Sequence, residues 1–193
     1  MAKDGIYNRY VKRFFDMTFA AGLLLVLLPL CLVIVLVVKL ESPGPAVFKQ
    51  KRLGLNQKPF MIWKFRSMCA DANGGPLNTQ KNDTRITRVG SFLRRSSLDE
   101  IPQLVNVLRG DMSFVGPRPD LKELVFADNR DYFDRFLVRQ GITGLAQING
   151  RSQIDPGQRV AYDKYYAHNV SFKLDLSIIY KTVISVILGR GSN

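Results

Sequence analysis

From Met17 to Val38 the chain carries no charged side chain (MTFAAGLLLVLLPLCLVIVLVV). That is about the length an α-helix needs to cross the hydrocarbon core of a bilayer. Everything after it is polar, basic and punctuated by turn residues. A cleaved signal sequence would have a shorter apolar core ending in small residues. This run ends in Leu36-Val37-Val38-Lys39-Leu40-Glu41, so the segment is expected to stay. Pro29 sits near its middle. It lacks an N–H and its ring crowds the carbonyl of Leu25, so a kink or break is expected there.

Both flanks are basic. Lys3, Arg9, Lys12 and Arg13 precede the segment, with Tyr10, Phe14 and Phe15 interleaved as in an interfacial helix start; Lys39, Lys49, Lys51 and Arg52 follow it. The positive-inside rule holds both flanks on the cytoplasmic side. A helix that enters, bends at Pro29 and leaves by the same face satisfies both facts. A kinked single crossing is the alternative, since prolines do occur in membrane helices.

Lys plus Arg outnumber Asp plus Glu by 28 to 16, a net charge of +12. Such a balance points to anionic partners, and beside a membrane segment acidic lipids and phosphate-bearing substrates come ahead of nucleic acid. The two cysteines are Cys31, inside the apolar run, and Cys69, outside it. An intradomain disulfide is not expected, which suits a reducing cytosol. The remainder of the chain is enough for one compact domain.

Along that domain, Ala46–Arg52 and Phe60–Met68 read as two strands around a Gly54–Pro59 turn. In the second, Met61, Trp63 and Phe65 are expected on one face, with Lys64 and Arg66 on the other. The Asn/Gly-rich stretch Asp71–Asp83 suggests a mobile loop, and a cationic stretch with Arg85, Arg88, Arg94 and Arg95 follows. Ser97–Arg109 reads as a helix opened by a Ser97-x-x-Glu100 capping box, its start blurred by Pro102 and its end set by Gly110. Pro117 and Pro119 hold Arg118 in extended backbone. Asp120–Val138 has the pattern of an amphipathic helix, and Gly141–Arg151 that of a loop or short strand. Phe172, Leu176, Ile179, Val183 and Ile187 form one helical stripe, expected to face the core or, second, a membrane.

Asp99-Glu100 is the pair most suggestive of chemistry. In a helix's first turn the free N–H groups would depress a carboxylate pKa, and an ionised Asp there is a competent nucleophile toward phosphorus. A neighbouring Glu can share a divalent metal or handle a proton. Ordinary capping by Glu100 explains the same residues. Arg94, Arg95, Arg118, Lys64 and Arg66 supply cations for phosphate oxygens. The lone His168 has no partner at metal-ligand spacing.

These pieces resemble a known family. SPGPAVFKQKRLG, KPFMIWKFRSM, RRSSLDEIPQLVNVLRGDMSFVGPRP and GITGLAQINGR are similar, in order and over nearly the whole chain, to the bacterial sugar transferases called small monotopic phosphoglycosyl transferases. A weaker match follows in Asp163-x-Tyr165-Tyr166 and Ser171–Asp175. The resemblance implies transfer of a phosphosugar from a UDP-sugar to a polyprenol (undecaprenyl) phosphate, with release of UMP and a requirement for Mg2+. It places the catalytic, metal-binding dyad on Asp99 and Glu100, with Asp99 forming a phosphosugar-enzyme intermediate. It places the motif arginine on Arg94 and the nucleotide-linked Pro-Arg-Pro on Pro117, Arg118 and Pro119. Substrate binding is further expected of Lys64, Arg66, Gln147, Asn149 and Arg151.

The implied fold is α+β: mostly helical, with a short antiparallel hairpin and amphipathic interfacial helices. Residues 1–41 would form an interfacial start and a re-entrant membrane helix broken at Pro29, and residues 42–193 a catalytic domain on the cytoplasmic face of the bacterial inner membrane. The implied partners are membrane lipids and the two substrates, not nucleic acid, and the family's minimal catalytic form is expected. The family usually has serine before the proline where Leu28 stands here, and Ser152–Gly157 departs from its common pattern, so sugar preference does not transfer.

Overall fold

The computed structural model of the chain describes residues 6–69, 83–121, 130–150 and 154–188. The expected mobile loop at Asp71–Asp83, apart from its last residue, lies outside them, as do Arg151 and residues 122–129 of the expected helix.

The architecture is α+β, as expected, with one long apolar helix near the N-terminus. A π-helical turn, Tyr7–Val11, leads into α1, Lys12–Glu41. The expected break at Pro29 does not occur: α1 is a single helix with Pro29 inside it. One missing N–H leaves about three or more turns of ladder on either side. A packing stripe adds support along the whole length. Lys12, Asp16, Ala20, Ile34 and Val38 are buried on the domain, with Leu24, Leu27, Cys31 and Val35 packed between them. These positions recur at spacings of three and four, one face of a helix. Pro29 is exposed on the other side.

Both ends of α1 are fastened to the same domain. At one end Lys12 Nζ meets Asp175 Oδ2 at 2.7 Å, Arg13 donates to the carbonyls of Val107 and Leu108, and Asp16 accepts from the Phe114 N–H. At the other, the Arg66 guanidinium donates to the carbonyls of Ser42 and Pro43 at 2.6 and 2.7 Å. The outward face stays apolar, with Leu25 and Val26 about three-quarters exposed.

The hairpin forms as expected. β1, Val47–Leu53, pairs antiparallel with β2, Pro59–Phe65, from Val47↔Phe65 to Leu53↔Pro59. Its faces alternate as expected, but β2 is covered on both sides. Ile62 is buried with Leu104, Val107 and Met112, Phe65 is buried with Leu93 and Val38, and Met61 is exposed. Side chains alternate along a strand, so Lys64 shares the Ile62 side and is not on a solvated face.

α2, Arg88–Arg95, is capped by Thr87, whose hydroxyl accepts from the Gly90 N–H. A Cβ at Gly90 would stand 2.1 Å from the Ser67 carbonyl oxygen, so only glycine lets α2 sit this close to the end of β2. α3, Gln103–Arg109, ends at Gly110 with φ +90°. β3, Met112–Val115, pairs in parallel with β4, Gln140–Thr143. Between them, the described part of the expected helix is two short pieces, α4 (Arg130–Phe133) and a 3₁₀ turn (Asp134–Leu137). Of the loop or short strand expected over Gly141–Arg151, the strand forms as the end of β4, and α5, Leu145–Ile148, follows it.

α6 (Pro156–His168) and α7 (Phe172–Ile187) complete the chain. On α7 the expected core stripe is turned outward: Phe172, Leu176 and Val183 are more than half exposed, while Asp175 and Ile178 are buried. Asp175 accepts from Tyr7, Lys12 and Tyr166, and those bonds draw its side of α7 inward. The outward faces of α7 and α1 meet where Phe172 lies 6.5 Å from Phe15 between ring centroids.

Candidate active site

Asp99 and Glu100 lie in a 3₁₀ turn, Leu98–Glu100, just ahead of α3. Ser97 enters that turn in the left-handed region (φ 57°) and its side chain caps nothing. The expected capping box is therefore not formed. Glu100 turns instead to two cations: its Oε1 accepts from Lys64 Nζ at 2.7 Å and from Arg118 Nη2 at 2.9 Å. Charge-assisted bonds of this kind outweigh a bond to one backbone N–H. Together they hold the Glu100 carboxyl well below the ordinary carboxylate range, against the opposing effect of burial.

Asp99 behaves in the opposite way. It is 8 % exposed, and burial pushes its pKa up, with the Glu100 charge adding to the rise. Lys64, Arg94 and Arg118 pull it back only in part. The depressed pKa expected of a helix N-terminus is thus reversed, because desolvation dominates over the dipole of so short a turn. Two adjacent carboxyls are driven apart in acidity.

The cations arrive from separate elements. Lys64 comes from β2, which Asn106 fastens to α3: the Asn106 amide accepts from the Trp63 N–H at 3.0 Å and donates to the Met61 carbonyl at 2.7 Å. Asn106 is fully buried. Arg94 lies in the last turn of α2, its Nε donating to Ser67 Oγ at 2.7 Å. Arg118 extends from the segment after β3, with Pro117 and Pro119 buried on either side of it. Arg66, expected beside Lys64, has its guanidinium buried against the carbonyls that end α1 and bonded to them.

The Gly-rich motif after β4 is locked behind Pro117. A Cβ at Gly116 would stand 2.2 Å from the Arg139 oxygen, and one at Gly144 would stand 2.2 Å from the Gly116 oxygen. Within that motif Gln147 donates to the Ile142 carbonyl, while its Oε1 is buried without a hydrogen-bond partner among the described residues. Asn149 is exposed and donates to the Leu145 carbonyl. His168 pairs with Asp134 at 2.9 Å, far along the chain from the dyad.

Among the described residues, no group of three or more His, Cys, Asp or Glu gathers to enclose a cation. Asp99 and Glu100 nevertheless fit Mg2+, which uses one or two carboxylates and takes its other ligands from water and phosphate. Both bonds to Glu100 fall on Oε1, and Asp99 accepts no hydrogen bond from the described residues, so hard oxygen donors are left over.

Comparison with known proteins decides the family. A model described as bacterial sugar transferase matches residues 7–189. The chain belongs to that family. It is 45 % identical to the exopolysaccharide production protein PSS of Rhizobium leguminosarum bv. phaseoli, over 94 % of this chain and 98 % of that protein. It is 41 % identical to the UDP-glucose:undecaprenyl-phosphate glucose-1-phosphate transferase of Escherichia coli K12, over 96 % of this chain and 42 % of that one. It is 39 % identical to an Aeromonas hydrophila transferase named for UDP-N-acetylgalactosamine and undecaprenyl phosphate, over 95 % of this chain and 45 % of that one. The chain thus spans less than half the length of these last two relatives.

Asn106, Ser67 and the buried groups around Asp120 were not singled out from the sequence. A polar Asn106 amid Leu104, Val105, Val107 and Leu108 was the available signal.

Proposed function

We propose that the chain transfers a phosphosugar from a UDP-sugar to a membrane polyprenol phosphate, of the undecaprenyl kind its relatives are named for. The observation that carries this reading is the opposed pair: Asp99 buried and uncommitted, beside a Glu100 clamped by Lys64 and Arg118.

In this reading Asp99 is the nucleophile. Its carboxylate oxygen attacks the phosphorus bonded to the sugar, the bond from that phosphorus to UMP breaks, and UMP leaves with the electron pair. An oxygen of the polyprenol phosphate then attacks the same phosphorus, the acyl phosphate bond breaks, and the Asp99 carboxylate is restored. Lys64, Arg94 and Arg118 neutralise phosphate oxygens, where positive charge lowers the barrier. Glu100 stays ionised and holds Lys64 and Arg118 in place until phosphate takes over. Mg2+ held at Asp99 and Glu100 would supply charge neutralisation on the diphosphate. Pro117 and Pro119 stiffen the nucleotide side, with Gln147, Asn149 and Arg151 assigned to the same substrate; Arg66 is left out of the set.

One substrate is soluble and the other lipid-held, so the site belongs at a membrane surface. α1 fits that need. Its domain-facing stripe is occupied along its length, and its apolar outer face is available to acyl chains. With both ends fastened to one domain, a monotopic arrangement on the cytoplasmic face is the reading we adopt.

The test is UMP release from UDP-glucose or UDP-N-acetylgalactosamine with undecaprenyl phosphate in detergent. Release that requires the lipid acceptor supports the transferase. Sustained multiple-turnover release of free sugar phosphate without acceptor would make it a hydrolase instead.

A further inference from the structure

Arg118 is the exposed member of a segment that is otherwise pinned. Prolines at 117 and 119 remove two N–H donors, so no strand ladder can hold this stretch. Its carbonyls are held one by one instead. The Pro117 oxygen accepts from the Gly141 N–H at 2.8 Å, the Arg118 oxygen from Arg135 Nη2 at 2.8 Å, the Pro119 oxygen from Arg52 Nη1 at 3.3 Å, and the Asp120 oxygen from the Leu53 N–H at 3.1 Å. Four successive carbonyls are thus bonded to β4, to the 3₁₀ turn before it, and to β1.

Arg135 is the centre of this arrangement. It is 1 % exposed, with no role in the chemistry described above. Its guanidinium reaches the Arg118 carbonyl and the Asp120 carboxylate, and meets Asp163 Oδ2 at 2.9 Å. Tyr132 donates to the same Asp120 oxygen, and Arg159 Nη2 takes the other at 2.5 Å. A buried cation of this cost is tolerated only where several groups are satisfied at once. Here Arg135, held by Asp120 and Asp163, also bonds the backbone of one substrate-facing residue.

We propose that Arg135, with Asp120 as its partner, is a positioning residue: it fixes the backbone of Arg118 so that the guanidinium meets phosphate at a set place. The inference rests on the assignment of Arg118 to nucleotide phosphate. A planar guanidinium bonds the Arg118 carbonyl and the Asp120 carboxylate in one fixed geometry, which an ammonium cannot reproduce. Arg135→Lys therefore keeps the charge and loses the alignment. Tyr132→Phe keeps the ring and removes the hydroxyl that bonds Asp120.

The experiment is a double-mutant cycle read by UMP affinity, using isothermal titration of the full chain in detergent. Arg135→Lys is expected to weaken UMP binding about tenfold, and Tyr132→Phe by a smaller factor in the same direction. In an Arg118→Ala background neither should weaken it further. Equal losses with and without Arg118 would overturn the positioning role and leave a purely structural one. Tyr132→Phe carries the cycle should Arg135→Lys fail to fold. A native chain that does not bind UMP would overturn the assignment of Arg118, and the positioning role with it, whereas additivity in a chain that binds UMP overturns positioning alone.

Discussion

Lys64 Nζ stands 2.7 Å from Glu100 Oε1, which joins the β hairpin to the turn that bears the dyad. The same ammonium lowers the pKa of Asp99, whose burial raises it. One cation thus serves two carboxyls of opposite tendency: it clamps one and keeps the other ionisable.

Removing that cation should move the pH profile. Asp99 must be ionised to attack, so kcat/KM should fall as pH drops through its raised pKa, above the usual Asp range near 4. Lys64→Met takes away a charge that lowers this pKa. The acid limb should then shift upward. UMP release followed from about pH 4 to about pH 8 checks the direction. A downward shift or none would contradict the role of Lys64.

Asn106 should matter more to the fold than to the chemistry. Its amide satisfies the Trp63 N–H and the Met61 carbonyl from α3. Asn106→Leu leaves both without that partner in a buried site, at a cost of about 2–4 kcal/mol. Thermal unfolding in detergent should show the loss, with a lower kcat because Lys64 shares that strand. Unchanged stability would contradict the stitching role.

Asp163 gives a separate prediction for stability. Burial pushes its pKa up to about 6, well above the ordinary Asp value of about 4, although Arg135 pulls it down. The folded chain therefore holds this proton more tightly than the unfolded chain. That contribution is fully present below about pH 4 and is lost as pH rises through 6. Asp163→Asn should flatten this part of the stability profile, a change on the order of 2 kcal/mol between pH 4 and 7. Unfolding midpoints of the two chains compared across that window test it; parallel curves would contradict the assignment.

What could be read from the sequence was local. The hairpin follows from alternation and a six-residue turn region, the dyad and the Pro117-Arg118-Pro119 segment from adjacent residues, and the family from motifs in order. The errors arose where distant residues decide. Ser97-x-x-Glu100 has the letters of a capping box, but Lys64 and Arg118 claim the glutamate. Pro29 has the chemistry of a helix break, but the stripe from Lys12 to Val38 packs on the domain through it. The α7 stripe has the periodicity of a core face, but Asp175, with its three donors, turns the opposite side inward. The parallel pairing of β3 with β4 links residues about 28 apart, and no local pattern announces it.

The central claim is that Asp99 carries the phosphosugar. Its most direct measurement is the intact mass of the chain after rapid mixing with UDP-sugar and Mg2+ in the absence of polyprenol phosphate. The account predicts a gain of one phosphosugar, located at Asp99 by fragmentation, lost on adding polyprenol phosphate and absent in Asp99→Asn. Steady transfer to the lipid by Asp99→Asn, or an adduct located on another residue, would contradict it.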